Sequence, residues 1–482
     1  MAVFDISGGR RLSGEIRISG AKNSVLPLLA STVLFRGPCV LHNCPRLSDV
    51  DAAVAILRHL GCQVEREGHD IFVDSWGVNR YDIPRELMGK MRSSVLFLGP
   101  LLARMGACRL YAPGGCALGA RPIDLHLMGL RAMGAELQWQ GDELICRAKK
   151  LRGCTVTLPF PSVGATENLM LAAMGAGETV TLFNVAREPE IGDLAAFLRG
   201  GGGRVYGAGT GMVQIEGGPL RGARHRVIPD RIETATYLCA VAAAGGEALL
   251  RGTDHTHLTE VLRALSAAGC ALRKGPDHIS VAAGDLTGIP PVRTGPYPAF
   301  PTDAQAPLMG ALLRARGTTV FEENIFSDRF RHVPALRALG GNIGVCGSIA
   351  AVSGVKSLRG AGMEATDLRG GAAMVVAALG AQGTSRVGRV EHILRGYESL
   401  PEKLRALGAE IRVTEEQEAD QAALEDQNGS GRTKPAGPGT IRGPASPDPA
   451  GDSEPERPAT PTCSPGLRCC STAGAHLMAS TS

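Results

Sequence analysis

The chain has 482 residues, 44% of them hydrophobic and 20% charged, enough apolar material for a large core and two or three domains. Its net charge of +4 divides into a body at +9 and a segment from Glu415 onward at −5; the basic body suits an anionic ligand, while the lack of dense Lys/Arg runs interleaved with aromatics excludes a nucleic-acid binder. No stretch has the ~18 uninterrupted apolar residues of a membrane span, nothing resembles a signal peptide, and 13 cysteines without zinc-type spacing read as reduced thiols of a cytoplasmic protein.

In chain order, the first informative stretch is "ISGAKNSVLPLLAS" from Ile18. It predicts a buried helix whose start carries Lys22 and Asn23, where free backbone N–H groups favour anions. The bland alternative is a solvated lysine beside an ordinary cap. "MGKMRSSVLFLGPLLARMG" repeats the theme, with Arg92 ahead of Ser93-Ser94 and an apolar helix.

"LYAPGGCALGARPIDLH" follows, from Leu110. Cys116 rides there on turn residues, between Gly114-Gly115 and a small-residue run ending at Arg121-Pro122. That is not a core position for a thiol, and a mobile loop that presents it is expected. Arg121 and Asp124 flank the rigid proline and either grip a phosphate or carboxylate or simply pair with each other.

"PFPSVGATENLMLAAMGAG" places Ser162, Val163 and Gly164 before another apolar helix, where small residues let a ligand approach backbone N–H groups closely; the bland alternative, compatible with it, is an N-cap box with Thr166 as the cap. "VIPDRIETATYLCAVAAAGG" starts a helix with an acidic first turn and marks a domain boundary near residue 228. "AFPTDAQAP" sets Asp303 in a Pro-bounded loop, as a turn former or, facing a hydroxyl, a general base. Arg329 and Arg331 surround Phe330, Asp367 and Arg369 open a small-residue helix, and Arg395 precedes Gly396-Tyr397.

A second pattern runs through the whole body: Leu-x-x-x-Gly, then a strand. It starts at Leu57, Leu130, Leu198, Leu265, Leu336 and Leu404, at spacings of 73, 68, 67, 71 and 68 residues. The glycine supplies the left-handed conformation that stops a helix. Six α/β units are predicted, three on each side of the boundary, with ligand in the cleft between them. From Glu415 to Ser482 there are nine prolines, no aromatic residue and no valine, so a disordered tail is expected.

The motifs "SGAKN", "PGGCALGARPIDLH", "PSVGATENLM", "AREPEI", "PDRIETAT", "AFPTDAQAP", "TDLR" and "HILRGYE" stand in the order found in the UDP-N-acetylglucosamine 1-carboxyvinyltransferases, and residues 4–414 resemble that branch of the enolpyruvyl transferases. The resemblance implies an α/β fold of the two-domain inside-out barrel type. Its six βαβαββ-type units fall three per domain, with residues 1–20 and 229–414 in one and 21–228 in the other. It implies transfer of the enolpyruvyl group of phosphoenolpyruvate to the 3′-hydroxyl of UDP-N-acetylglucosamine, with no cofactor and no metal.

By the same match, Asp303 is the base and Cys116 the acid, able also to form a phospholactoyl thioether. Lys22, Arg121 and Arg395 hold phosphoenolpyruvate, and Asn23 supports the tetrahedral centre. The nucleotide sugar is implied to meet Arg92, the run Arg121, Pro122, Ile123, Asp124 and Leu125, then Ser162, Val163 and Gly164, and Asp303 and Ile325. Asp367 and Arg369 fall near the reacting centre. One departure is that some relatives carry a lysine two positions before the serine of "SVGAT", where this chain has Phe160-Pro161. The shikimate-pathway transferase, with "PGSKS" in place of "SGAKN", and a non-catalytic paralogue are the competing readings.

Overall fold

The computed structural model describes residues 2–111 and 123–415. At each of the six predicted helix stops the glycine is left-handed, from φ +87° at Gly408 to +106° at Gly269, with Gly61, Gly134, Gly202 and Gly340 between. Each one joins a helix to a strand, as where the helix Ser48–His59 passes through Gly61 into the strand Gln63–Glu67.

Among the described residues the strands form six small sheets and one two-stranded pair. In five of the six, one parallel pairing is followed by two antiparallel ones. The strands Arg224–Arg226, Cys39–His42, Asp70–Asp74 and Gln63–Glu67 are one such set. In the sixth, Ala107–Tyr111 with Glu143–Arg147 and Glu136–Gln140, an isolated parallel bridge from Asp82 to Arg109 stands where the others have a strand.

Buried apolar side chains separate into two cores. One draws on positions from Ala21 to Val227. The other takes Phe4 to Ile18 together with Ala235 to Ile411. The N-terminal strands serve the second: Ala2–Ser7 pairs with Thr384–Gly388 and Glu410–Glu415, and Leu12–Arg17 with Gly246–Arg251. The chain crosses between the cores at two adjacent points, tied by Ala21 N–H to the Ile228 carbonyl at 2.7 Å and Asp230 N–H to the Ser19 carbonyl at 2.9 Å. Gly20 is required there, because a Cβ on it would lie 1.8 Å from the Asn43 carbonyl oxygen.

The inner layer of each half consists of helices buried almost all round, as expected for segments that are apolar on every face. Lys22–Ser31, Leu98–Met105 and Val163–Ala173 belong to the first half, and Arg231–Ala244, Thr302–Ala311 and Leu368–Leu379 to the second. A 3-10 turn, Arg92–Phe97, leads into the second of them. Lys22, Ser162, Asp303, Asp367 and Arg369 lie at the N-terminal ends of these helices and Arg92 at the start of the 3-10 turn, whereas Arg395 follows the short helix Glu391–Leu394 and Arg329 opens the 3-10 turn Arg329–His332. Among the described residues no helix is long and apolar enough to cross a membrane.

Candidate active site

A cavity of about 500 Å³ opens where the helix starts of the two halves meet. The first half lines it with Asn23, Arg92, Ile123, Ser162, Val163 and Gly164. The second contributes Arg231, Thr302, Asp303 and Ile325. Of the other expected residues, Asp124 is exposed and Leu125 half-buried at the start of the helix Asp124–Ala132. Cys116, Arg121 and Pro122 lie outside the described residues, as does the segment after Glu415.

Asp303 sits in the first turn of the helix Thr302–Ala311, not in a loop. Its Oδ1 accepts from Arg329 Nη2 at 2.9 Å and its Oδ2 from Arg369 Nη2 at 3.3 Å, so both oxygens are oriented by guanidinium groups that are themselves buried. Burial opposes the charge on Arg369, yet Tyr397, Asp303 and Asp230 hold its pKa above the ordinary value. Asp367 supports the arrangement from behind. It caps the helix Leu368–Leu379, Oδ1 accepting from the backbone N–H of Arg369 and Gly370 at 3.0 Å each, and thereby positions Arg369.

Lys22 and Arg395 come from opposite halves and converge on Asp49, a residue the sequence did not single out. Lys22 Nζ lies 2.6 Å from Asp49 Oδ2, and Arg395 Nη2 lies 3.1 Å from Oδ1. Burial pushes the Lys22 pKa down, Asp49 pulls it up, and the nearby Arg395 and Arg369 add to the lowering. Nothing in "LSDVDAA" distinguishes Asp49 from an ordinary acidic first turn.

Ser162, not Thr166, caps the helix Val163–Ala173, its Oγ accepting from Ala165 N–H at 3.4 Å. Thr166 points inward, where its hydroxyl accepts from Ala186 N–H at 3.0 Å. Phe160, where the resemblance led one to look for a lysine, lines the cavity and stays 43% exposed, so no cation stands at that position. Further along, the buried Glu323 accepts from Thr302 Oγ and from the backbone N–H groups of Ile325 and Phe326, at 3.0, 3.0 and 3.1 Å. It therefore ties Ile325 to the start of the Asp303 helix, a role invisible in "FEEN".

One wall is acidic. Glu190 pairs with Arg231 Nε at 3.0 Å, and the buried Glu167 beside it has its pKa raised well above normal by burial and by Glu190 and Glu188. Among the described residues no group of His, Cys, Asp and Glu could hold a metal ion.

Asn23, Arg92, Ser162, Arg231 and Asp303, each at or near the start of a helix or helical turn in one half or the other, line the one cavity. The sequence profile of the EPSP synthase (3-phosphoshikimate 1-carboxyvinyltransferase) family matches residues 6–426, and the chain belongs to that family. Within it, the chain is 45% identical over 413 residues to UDP-N-acetylglucosamine 1-carboxyvinyltransferase 2 of Caldanaerobacter subterraneus subsp. tengcongensis, covering 85% of this chain and 99% of that protein. It is 44% identical over 418 residues to UDP-N-acetylglucosamine 1-carboxyvinyltransferase of Dichelobacter nodosus, covering 86% and 100%.

Among solved structures, the enolpyruvyl transferase NikO from Streptomyces tendae matches with a TM-score of 0.79 at 27% identity, over 86% of this chain and 99% of its own. EPSP synthase from Acinetobacter baumannii shares the fold, with a TM-score of 0.66 at 20% identity over 86% and 100%. The α/β enolpyruvyl transferase fold follows from these likenesses.

Proposed function

We propose that this chain transfers the enolpyruvyl group of phosphoenolpyruvate to the 3′-hydroxyl of UDP-N-acetylglucosamine with release of phosphate, the first committed step of peptidoglycan precursor synthesis. The observation that carries the reading is identity of 45% with a protein named for this activity, over 99% of that protein's length. The cavity supports it, since Asn23, Arg92, the Ser162 helix start and Asp303 all line one space.

In this reading Asp303 accepts the proton of the sugar hydroxyl as that oxygen attacks C2 of phosphoenolpyruvate. Cys116 gives a proton to C3, which completes a tetrahedral adduct. Loss of a proton from C3 and departure of phosphate then restore the double bond. Lys22, Arg121 and Arg395 balance the phosphate and carboxylate charge, and Asn23 holds the tetrahedral centre. The nucleotide sugar takes Arg92, Ile123 and the Ser162–Gly164 turn. The two hydrophobic cores support a two-domain barrel of six units, with residues 1–20 and 229–414 as one domain and 21–228 as the other.

Phosphate release tests the reading. It is expected from phosphoenolpyruvate with UDP-N-acetylglucosamine and not with shikimate 3-phosphate. Release only with the shikimate ester would move the chain to the other branch of its family, and release with neither would remove the enzymatic reading.

A further inference from the structure

The helix Lys22–Ser31 begins without a cap of its own. Its N-cap residue is Ala21, whose methyl group accepts nothing, so the start of this helix is held by side chains from elsewhere. Asp230 Oδ2 accepts from the Lys22 backbone N–H at 3.2 Å. The other support is Asp193, a buried residue in the second turn of the helix Pro189–Gly200.

Asp193 gathers three donors, no two from the same element. Ser24 Oγ donates to Oδ2, and the Ile228 N–H reaches the same oxygen at 3.4 Å. Oδ1 lies 2.7 Å from Nε2 of His225, on the strand Arg224–Arg226. A carboxylate only accepts, so the hydrogen of that contact is on Nε2. Phe197, one turn beyond Asp193 on the same helix, packs against the imidazole with ring centroids 5.5 Å apart. Serine, aspartate and histidine are the residue types of a hydrolytic triad, but here they stand in the wrong order. The hydroxyl meets the carboxylate instead of the imidazole, and Ser24 is fully buried, so it is no nucleophile.

The place of the contact says what it does. Ser24 comes directly after Lys22, whose Nζ turns to Asp49, and Asn23, which lines the cavity. Ile228 stands at the crossing between the halves, where its carbonyl accepts from Ala21 N–H. One carboxylate therefore sets both the rotation of the helix Lys22–Ser31 about its axis and its distance from the crossing.

We propose that Asp193 is a positioning residue for the reaction, holding Ser24 from behind so that Lys22 and Asn23 are presented to phosphoenolpyruvate at a fixed angle. The inference rests on the function proposed above. Asp193 does not line the cavity and acts through the helix it holds. Such indirect support matters because a displacement of about 1 Å in a reacting group costs up to about 10²-fold in rate.

Ser24→Ala is the test, since it removes one hydroxyl and leaves Asp193 with His225 and Ile228. Alanine is also the better helix former, so helix formation itself is not weakened. KM for phosphoenolpyruvate is expected to rise on the order of 10-fold and kcat to fall, while the calorimetric Kd for UDP-N-acetylglucosamine stays within about twofold of the parent. A merely structural role would reduce the folded fraction, lowering kcat with KM unchanged. That pattern, or an equal loss of affinity for the nucleotide sugar, overturns the proposal. Asp193→Asn disturbs the same contact, so the double variant is expected to match Asp193→Asn alone, and losses that multiply overturn it as well. A parent chain that releases no phosphate with UDP-N-acetylglucosamine fails the proposed function instead.

Hydrogen exchange reads the contact without turnover and so tells the two failures apart. Ser24→Ala is expected to speed exchange in peptides from residues 20–31 and not in those from the helices Leu98–Met105 and Val163–Ala173. Unchanged exchange in 20–31 would overturn the positioning role whatever the activity.

Discussion

Asp49 and Arg395 are 346 positions apart in the chain, yet Arg395 Nη2 lies 3.1 and 3.3 Å from the two oxygens of the Asp49 carboxylate, and Nε lies 3.2 Å from Oδ1. The same carboxylate holds Lys22 Nζ at 2.6 Å. One anion thus keeps two cations from opposite halves close together, charged and oriented, before any substrate anion arrives.

The pH dependence of turnover checks this relationship. Burial lowers the Lys22 pKa and Asp49 counteracts it, so Asp49→Ala must lower it further. If the ammonium form binds phosphoenolpyruvate, activity falls as pH rises through the Lys22 pKa. The alkaline limb of kcat/KM for phosphoenolpyruvate is therefore expected to move down by about one pH unit in Asp49→Ala. Superimposable profiles would show that Asp49 does not control Lys22.

Asp303→Asn keeps the shape of the side chain but cannot take a proton. Its kcat is expected to fall by roughly 10²- to 10⁴-fold. Calorimetric binding of UDP-N-acetylglucosamine is expected to persist. The buried Arg329 and Arg369 lose their anionic partner, so a lower unfolding midpoint should accompany the loss. Turnover near the parent level would exclude Asp303 as the base.

Thiol chemistry offers a third check. Burial pushes the pKa of Cys39 up to about 11 and those of Cys44, Cys62 and Cys146 to about 12, which leaves these thiols protonated and inaccessible. Cys346 is the one exposed cysteine among the described residues. Mass mapping after treatment with the epoxide fosfomycin is expected to find Cys116 alkylated, more so with UDP-N-acetylglucosamine present. Cys346 provides the nucleotide-independent control. Cys116→Asp should retain some activity and resist the epoxide, whereas Cys116→Ser should be much weaker. An active enzyme fully alkylated at Cys116 would contradict its role.

Acid should weaken the fold through two buried imidazoles. Burial lowers the His126 pKa to about 4 and also lowers that of His332. Each unfolded histidine binds a proton near the ordinary ~6.5, so the unfolded state takes up more protons and stability drops as pH falls below that value. For His126 the loss is about 2 kcal/mol by about pH 5. Denaturant unfolding at about pH 7 and pH 5 measures it, and His126→Gln should flatten the slope. An unchanged slope would mean that the ring is already charged in the folded protein.

Gly20→Ala tests the double crossing between the halves. With the added Cβ 1.8 Å from the Asn43 carbonyl oxygen, backbone must move, at a cost of about 2 kcal/mol or more in denaturant titrations. A variant as stable as the parent would mean that this junction yields freely.

The sequence was most legible where one residue type had a single physical use. The six helix-stopping glycines are of that kind, since no other residue takes a left-handed turn so cheaply. The Asp303 helix was hidden by Pro301 and Pro307, which made an apolar run look like a loop although one proline sits at its cap and the other inside it. Thr166 looked like the cap of the helix Val163–Ala173, but tertiary packing sends it inward to Ala186 and leaves the cap to Ser162, four residues earlier. Asp49, Asp193 and Glu323 act through partners distant in sequence. Local pattern carries no trace of such pairs.

The two N-terminal strands have a further consequence. Leu12–Arg17 must wait for Gly246–Arg251, and Ala2–Ser7 for Thr384–Gly388 and Glu410–Glu415, while the intervening residues build the other core. During synthesis at about 5–20 residues per second, the first strand remains without its neighbours for roughly 20–80 s after it emerges. Its unpaired edges are open to other chains throughout that interval. The half completed last in the cell therefore contains strands made before the other half, and nascent-chain chaperones have their clearest task there.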